Sequence, residues 1–254
     1  MLIETKQLTK KFGGLVAVNE VDFTIEKGKI NAIIGPNGAG KSTFFNLLSG
    51  SHLPTSGQVI YKGKDVTKLS PNKMAELGVA RTFQTTHLFE ESTVLDNVIV
   101  GHRLRTKSNL WDAVLRTPRF KREERKCREK AMEVLDFVEL THVMDQQAGS
   151  ITQEEKKRVA FALALATDPE VVFLDEPTAG INPGETEGLA ELMEKMVQRN
   201  ITVCLIEHKM KMIMKLADKI MVLNYGEKIA EGTSDEIMNN PAVIEAYLGG
   251  DASA

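Results

Sequence analysis

Short apolar stretches recur along the chain and predict buried strands. The stretch Ile30–Ile34 is almost wholly apolar, as expected for a strand that is covered on both faces. Three similar stretches follow in the C-terminal half, at Val171–Leu174, Val203–Ile206 and Ile220–Leu223. Helical patterns at about 185–198 and 209–217 separate them. This half of the sequence is therefore typical of repeated βα units around a parallel sheet.

The hydrophobic pattern differs in the middle of the chain and near its start. Val21–Ile25 alternates apolar and polar residues, which predicts a half-buried strand. Between about residues 88 and 165, helical periodicity and charge dominate, and no stretch has a convincing strand pattern. We therefore predict a single domain over residues 1–254 in which an α/β core is interrupted by a helical subdomain. The predicted segments are 1–87 and 166–254 for the core and 88–165 for the subdomain.

Two features of the middle segment have a structural interpretation. The basic run Arg119–Lys126 could form a nucleic-acid patch, but its acidic neighbours and helical setting favour a solvated helix face. Trp111, the only tryptophan, lies in Leu110–Leu115, which predicts a short amphipathic helix. A net charge of -3 and a sequence pI near 6.0 likewise give no field that would attract nucleic acid, so we expect no nucleic-acid partner.

Composition and cysteine usage are ordinary for a soluble protein. Hydrophobic residues make up 42% and charged residues 26% of the chain. Cys127 lies in a charged stretch and Cys204 in an apolar one, so neither is typical of a disulfide, and a reducing compartment is expected. No apolar run approaches the roughly 20 residues that span a bilayer. We expect a cytoplasmic protein.

The segment Gly35–Ser42 has the spacing of a phosphate-binding loop, between an apolar strand and a helix. Glycines let backbone N–H groups converge on phosphates, and the helix N-terminus adds positive potential. The expected nucleotide-binding residues of the loop are Gly35, Asn37, Gly38, Gly40, Lys41, Ser42 and Thr43. Lys41 is expected to reach the β- and γ-phosphates, Ser42 to bind Mg²⁺, and Thr43 to contact the α-phosphate.

A pair of carboxylates follows the apolar stretch Val171–Leu174. Asp175 and Glu176 would stand at the C-terminal end of this buried strand. Asp175 is expected to hold Mg²⁺, and Glu176 to polarise the attacking water. Acidic pairs at strand ends are common, but one that follows a phosphate loop is a strong signal for nucleotide hydrolysis.

With these motifs the sequence resembles the ABC ATPases over nearly its whole length. The resemblance implies a P-loop α/β fold with a parallel sheet, an N-terminal antiparallel β element and an inserted helical subdomain. It also implies a role for three further residues. Gln84 would contact Mg²⁺ and the water, His208 would contact the γ-phosphate, and Phe12 would stack on adenine. The implied reaction is Mg²⁺-dependent ATP hydrolysis coupled to transport across a membrane.

Within this family the sequence is most similar to the longer ATPase subunit of branched-chain amino acid importers. The similar parts are Arg81–Gln84, the insert containing Leu115–Phe120 and the ending Pro241–Gly249. Lipopolysaccharide-type exporter ATPases have a similar C-terminal ending but lack the long insert, and they remain an alternative. The implied partners are a second ATPase subunit, transmembrane permease subunits and, indirectly, a solute-binding protein, at the inner face of the cell membrane.

One segment departs from the family pattern. ABC ATPases carry Leu-Ser-Gly-Gly-Gln, or a close variant, where this chain has Ile151–Glu155. Thr152, Gln153 and Glu154 would face the ATP of the partner subunit, and Glu154 replaces a glycine. Thr152 with Glu155 predicts a capping box at a helix start. The glutamate predicts repulsion of the γ-phosphate, and a nucleotide-binding regulatory subunit with little hydrolysis remains an alternative.

Overall fold

The computed structural model describes residues 1–82, 88–103, 106, 108 and 110–248 of the chain. Its internal contacts divide the chain into two compact units. Unit 1 contains Met1–Arg81, Glu170–Pro177 and the chain from Ala190 onward. Unit 2 contains Thr82–Pro169 and Thr178–Leu189.

Unit 1 is built around a six-stranded sheet. Its strands are β3 (Ile30–Ile34), β6 (Val79–Arg81), β7 (Val171–Asp175), β8 (Thr202–Ile206), β9 (Lys219–Asn224) and β10 (Glu227–Gly232). They lie in the order β10-β9-β3-β8-β7-β6. The neighbours from β9 to β6 pair in parallel, and β10 pairs antiparallel with β9. Every residue of β3, β7 and β8 is buried, which explains their continuous apolar runs.

A second, antiparallel sheet contains the N-terminal part of the chain. Its strands are β1 (Ile3–Phe12), β2 (Leu15–Ile25), β4 (Ser56–Tyr61) and β5 (Lys64–Asp65), in the order β2-β1-β4-β5. Val21, Phe23 and Ile25 of β2 are buried while Asp22 between them is exposed, because successive side chains of a strand point to opposite faces. The parallel sheet with its N-terminal antiparallel element confirms the predicted fold class.

The helices of unit 1 pack on these sheets and complete its core. They are α1 (Lys41–Leu48), α2 (Pro71–Glu76), α8 (Met210–Leu216), α9 (Ser234–Met238), α10 (Pro241–Leu248) and the C-terminal part of α7 (Pro183–Gln198). Phe45 of α1 meets Phe173 of β7 edge to face, with ring centroids 5.1 Å apart. Phe44 meets Phe23 of β2 in the same way at 6.3 Å. These contacts anchor α1 to both sheets.

Unit 2 is helical. Its helices are α3 (Val94–His102), α4 (Leu110–Val114), α5 (Pro118–Phe137), α6 (Gln153–Leu165), the N-terminal part of α7 and the 3₁₀ turn Thr141–Val143. Thr93, Thr117 and Thr152 cap α3, α5 and α6, and each threonine side chain accepts an N–H of the first turn. Extended pairing among the described residues of unit 2 is limited to the isolated bridge between Thr93 and Gln147.

Two further features concern the cysteines and the lengths of the helices. Cys127 and Cys204 are both free and buried, and burial raises the pKa of each thiol. Among the helices that the structure describes, none is long and apolar enough to cross a membrane.

Candidate functional site

The phosphate loop connects β3 to α1 and requires glycine at two positions in particular. Gly35 has φ +151°, and a Cβ there would lie 2.0 Å from the carbonyl oxygen of Leu223. Gly40 has φ +99°, and its Cβ would lie 2.2 Å from the carbonyl oxygen of Ala17. Gly40 is also the N-cap of α1 and supplies no side-chain cap. The first N–H groups of α1 therefore face the loop without a capping side chain, an arrangement suited to an anion.

Lys41, the first residue of α1, is turned back onto the loop. Its Nζ donates hydrogen bonds to the carbonyl oxygens of Gly35 and Pro36, each at 2.8 Å. Burial lowers the pKa of Lys41, and the carboxylates of Glu176 and Asp175 oppose this shift by raising it. The structure thus brings the lysine and the two acidic residues predicted from the sequence into one electrostatic environment.

Asp175 ends β7 and is held by an arginine that the sequence analysis missed. Arg81, at the end of the neighbouring strand β6, donates from Nη2 to Oδ2 of Asp175 at 3.0 Å. The two side chains are only 10% and 9% exposed. A charged hydrogen bond between two side chains this buried holds the Asp175 carboxylate in a defined orientation. The bond engages Oδ2 of Asp175, and the role of this carboxylate as a cation ligand stays a prediction.

The same arginine also binds the helix that follows the phosphate loop. Its Nη1 lies 2.6 Å from Oδ1 of Asn46 and 3.1 Å from Oγ of Ser49, both near the C-terminal end of α1. Its guanidinium carbon lies 5.9 Å from the ring centroid of Phe45. Arg81 therefore joins β6, β7 and α1. The sequence places Arg81 just before the predicted Gln84 loop, but Asp175, the carboxylate that it binds, lies 94 residues further along the chain.

Glu176 and His208 lie side by side at the ends of adjacent strands. His208 Nε2 is 3.0 Å from Oε1 of Glu176, and the side chains are 42% and 24% exposed. Glu176 has φ +47°, a left-handed conformation that is uncommon for a residue with a side chain. Its backbone N–H donates to the carbonyl of Ile206 at 2.9 Å. This backbone bond holds Glu176 at the edge of the sheet in its unfavourable conformation.

A cleft of about 560 Å³ in unit 1 brings most of the predicted residues together. The predicted residues along its wall are Phe12, Asn37, Gly38, Gly40, Lys41, Ser42, Thr43, Glu176 and His208. Leu15, Val16 and Tyr225 also line it and were not predicted. Tyr225 is 86% exposed and Leu15 66% exposed. The cleft thus combines apolar and aromatic side chains with the phosphate loop, and the turn that carries Tyr225 adjoins the loop, since Gly226 N–H donates to the carbonyl of Ala39 at 3.0 Å.

Phe12 lines this cleft. It is 45% exposed, and its ring lies edge to face with His52 at a centroid distance of 5.8 Å. The Nζ of Lys10 lies 4.9 Å from the centroid of the same ring. The aromatic surface is therefore partly open, and its stacking on adenine stays a prediction. No sequence signal marks Tyr225, because it lies in the turn between β9 and β10, far along the chain from Phe12.

The altered segment Ile151–Glu155 lies in unit 2 at the start of α6. The predicted capping box is present: Glu155 N–H donates to Thr152 Oγ1 at 3.2 Å, and Thr152 N–H donates to Glu155 Oε2 at 2.7 Å. Glu154 forms an ion pair with Arg158 one turn along the helix. Arg158 also binds Glu139 at 3.0 Å. The carboxylate at the position of the family's glycine is thus paired within the chain, and the four-residue spacing of Glu154 and Arg158 on α6 is the local signal for this pair.

The remaining prediction at the site concerns Gln84. This residue belongs to 83–87, outside the described residues, so its role stays a prediction. The described flanks are Arg81 and Thr82 on one side and Leu88 and Phe89 on the other. Phe89 is 64% exposed.

Comparisons with known proteins agree with this geometry. Residues 18–179 match the family model described as ABC transporter, and residues 227–253 match that described as branched-chain amino acid ATP-binding cassette transporter. The chain therefore belongs to the ATP-binding subunits of ABC transporters, and it is an ATPase. One solved structure of the same fold, the ATP-binding cassette MJ0796 bound to ADP and Pi, is described as dimeric; it is 24% identical to this chain, with a TM-score of 0.77.

Individual relatives cover nearly the whole chain. A high-affinity branched-chain amino acid transport ATP-binding protein of Pseudomonas aeruginosa, BraF, is 41% identical over 98% of both chains. LivG of Escherichia coli, which carries the same description, is 40% identical with the same coverage. Among solved structures, the ADP conformation of MJ1267, an ATP-binding cassette of an ABC transporter, superposes with a TM-score of 0.86. It is 32% identical and covers 98% of each chain.

Proposed function

We propose that this chain is the ATPase subunit of an importer for branched-chain or related amino acids. The relatives BraF and LivG are described as high-affinity branched-chain amino acid transport ATP-binding proteins, and the match at residues 227–253 includes the ending Pro241–Gly249. The insert between the two halves of the core supports the same assignment over an exporter of lipopolysaccharide type. The assignment of amino acids as the solute rests on the similarity to these relatives, whereas the hydrolytic function rests on the residues of the cleft.

The observation that carries the hydrolytic function is the convergence of residues in one cleft. Lys41 and the N-terminus of α1 supply positive charge where the phosphates of ATP would bind. Phe12 lines the same cleft with part of its ring exposed and would stack on the adenine. Asn37, Gly38, Gly40 and Thr43 of the phosphate loop also line it. The site then acts by positioning and by charge stabilisation, as phosphoryl-transfer sites generally do.

The residues fit Mg²⁺. The ion prefers hard oxygen ligands and usually shares them with nucleotide phosphates. The Asp175 carboxylate and the Ser42 hydroxyl are oxygen donors of this kind, and Arg81 fixes the Asp175 carboxylate through Oδ2. Gln84 is the third expected ligand. When bound, the ion would neutralise phosphate charge during transfer. Arg81 is the positioning residue that holds Asp175 in place for this role.

Glu176 and His208 are assigned the catalytic roles. Glu176 would accept a hydrogen bond from the attacking water and orient it toward the γ-phosphate. The imidazole of His208, 3.0 Å from Glu176, keeps that carboxylate at the cleft and would contact the γ-phosphate. The left-handed backbone of Glu176 aims its side chain away from the direction a regular strand would give.

The complete transporter requires partners. A second ATPase subunit would contribute its signature segment to this chain's nucleotide, while Thr152, Gln153 and Glu154 would contact the nucleotide of the partner. Permease subunits would bind near the Gln84 loop, where the exposed Phe89 offers apolar surface. A solute-binding protein would act on the other side of the membrane. The chain would thus work as a peripheral protein at the inner face of the cell membrane.

The catalytic assignment is tested with Glu176→Gln. Removing the carboxylate while keeping its shape should preserve ATP binding within about threefold and reduce turnover at least about 100-fold, the effect of losing a positioned general base. ATP binding is measured by calorimetry and turnover by phosphate release. Glu129→Gln, an exposed change in α5 where the carboxylate pairs with Arg125 at 3.6 Å, is the matched control. Turnover at the parent rate in Glu176→Gln would overturn the assignment.

The transported solute needs a separate experiment. The chain is coexpressed with the membrane proteins that copurify with it, and uptake of labelled leucine is measured in reconstituted vesicles. We expect ATP-dependent uptake that excess valine or isoleucine inhibits. Uptake that a chemically unrelated solute inhibits instead, with leucine transport absent, would contradict the amino-acid assignment while leaving the ATPase assignment intact.

A further inference from the structure

Unit 2 exposes a cluster of large apolar side chains that the nucleotide site does not use. Trp111 is 72% exposed, Val114 65% and Leu115 71%. They belong to α4 and the turn after it, and we call them the Trp111 patch. Large exposed apolar side chains that adjoin one another mark a surface for interaction more often than single ones do.

The patch is held in place by hydrogen bonds within its own segment. Leu115 N–H donates to the carbonyl of Trp111 at 2.9 Å, and Thr117 N–H donates to the carbonyl of Asp112 at 3.1 Å. Thr117 Oγ1 also donates to the Asp112 carboxylate at 3.0 Å, while it caps α5. The short α4 is therefore tied to the start of the long α5, and its apolar side chains remain on the outside.

Basic residues surround the patch. Within residues 111–122 there are four basic residues and one acidic residue, whereas the whole chain has a net charge of -3. The exposed basic residues are Arg116, Arg119, Lys121 and Arg122. The acidic residue, Asp112, is half-buried and bound to Thr117. Glu123 is also half-buried; it pairs with Arg119 at 3.5 Å and accepts the N–H of Ser108 at 2.9 Å. Positive charge thus dominates the outer surface of this segment.

We propose that the Trp111 patch lies on the surface of a bilayer that contains anionic phospholipid. Tryptophan favours the boundary between headgroups and acyl chains, because its ring is apolar and its N–H is polar. Arginine and lysine around it are attracted to the negative surface, each strengthening binding by about fivefold. An apolar group ringed by cationic side chains is the composition of an interfacial segment, and α4 is far too short to span the membrane. The proposal goes beyond the proposed transport function, which requires only that a membrane is nearby.

The charge distribution also argues against a second copy of this chain as the occupant. Two Trp111 patches facing each other would bring two sets of four basic residues together, and like charges at close range repel. An anionic lipid surface instead complements the apolar and the basic residues at once.

The sole tryptophan gives a direct test. The nucleotide-free full chain is mixed with vesicles of phosphatidylcholine alone or with 30% phosphatidylglycerol, a composition on the order of that of anionic natural membranes. We expect a blue shift of the Trp111 emission and flotation of the protein with the anionic vesicles only. Brominated acyl chains should quench the emission. An unchanged spectrum with both kinds of vesicle would overturn the proposal.

Matched variants separate lipid binding from nonspecific attraction. Val114→Ser with Leu115→Ser should reduce flotation at least tenfold, and so should replacing the four basic residues by glutamine. The control replaces four exposed lysines of unit 1 by glutamine, Lys6, Lys64, Lys68 and Lys211, and should leave flotation within about twofold. Equal losses in the control would show nonspecific attraction and contradict the proposal.

A protein partner is the other possible occupant, and two readouts distinguish it. If the patch variants float like the parent but fail to copurify with the permease in detergent, the surface binds protein and the lipid proposal is wrong. The ATPase rate without vesicles is measured in parallel and should be unchanged in all patch variants. Glu176→Gln should float like the parent, so failure of the lipid proposal and failure of the catalytic assignment are distinguishable.

Discussion

Helices α1 and α6 begin in opposite ways. The start of α1 follows a glycine loop, has no side-chain cap and no acidic residue in its first turn. The start of α6 has a complete capping box and two glutamates, Glu154 and Glu155, in its first turn. Both termini carry the same partial positive charge from their peptide dipoles. In α1 no side chain of the chain caps the first N–H groups, so they can bind a phosphate. In α6 the Thr152 hydroxyl and the glutamates of the first turn already interact with this positive end.

Each helix start also lies near a pair formed by an arginine and a carboxylate. Arg81 binds Asp175 beside α1, and Arg158 binds Glu154 within α6. The first pair holds the carboxylate that we propose as a ligand of Mg²⁺, whereas the second pairs a carboxylate at the position where the family pattern has glycine. The start of α1 is therefore suited to bind an anion, and the altered segment forms a stable helix start.

The largest effect is expected from a change at the uncapped start of α1. Lys41→Ala should weaken ATP binding to the isolated chain at least about 100-fold, because it removes the charged donor that belongs to the phosphate loop. Calorimetric titration measures the change. Lys156→Ala, in the first turns of α6, is the control and should leave binding within about twofold. A similar loss in both variants would mean that the two helix starts do not differ in the way described.

A second change breaks the buried pair beside α1. Arg81→Met should lower the free energy of unfolding by about 3–5 kcal/mol, because it leaves the Asp175 charge buried and uncompensated. Adding Asp175→Asn should recover part of that loss. Urea denaturation measures both. If Arg81→Met unfolds at the parent urea concentration, Asp175 does not depend on Arg81, and its positioning role fails.

The smallest effect is expected at Glu154. An unpaired carboxylate about 5 Å from one phosphate charge, at an effective dielectric near 20, would cost roughly 3 kcal/mol. Because Arg158 compensates this charge, Glu154→Gly should raise the ATPase rate by less than about threefold. Arg158→Met should lower the rate, and should lower it less when Glu154→Gly is also present.

The double-variant cycle measures the contribution of the Glu154–Arg158 pair to the ATPase rate. Thermal unfolding of each variant separates catalytic loss from instability, since Arg158 also binds Glu139 and the carbonyl of Val138. A rise of several-fold in Glu154→Gly would show that repulsion persists despite Arg158. That outcome would also favour a heterodimer with unequal sites, because the penalty falls on the nucleotide held by the partner.

Much of the fold was predictable because its signals are local. The stretch Ile30–Ile34 is β3 to the residue, and the apolar runs in the C-terminal half became β7, β8 and β9. The pattern Val21–Ile25 marked only the second half of β2. The strands β1, β4 and β5 were not predicted individually, because strands of antiparallel hairpins take much of their stability from pairing rather than from periodicity.

By itself the sequence determined the phosphate loop, the carboxylates that end β7 and the capping box of α6. Each of these depends on neighbours a few residues away, so spacing is sufficient to specify it. The pair of Glu154 and Arg158 is also local, because the two residues lie four apart on α6. Only the tertiary structure places Arg81 against Asp175, brings Tyr225 into the cleft with Phe12, and sets Glu139 beside Arg158. Such contacts depend on which strands become neighbours and which rotamers the packing allows. These are properties of the assembled sheet and helices, and no local pattern encodes them.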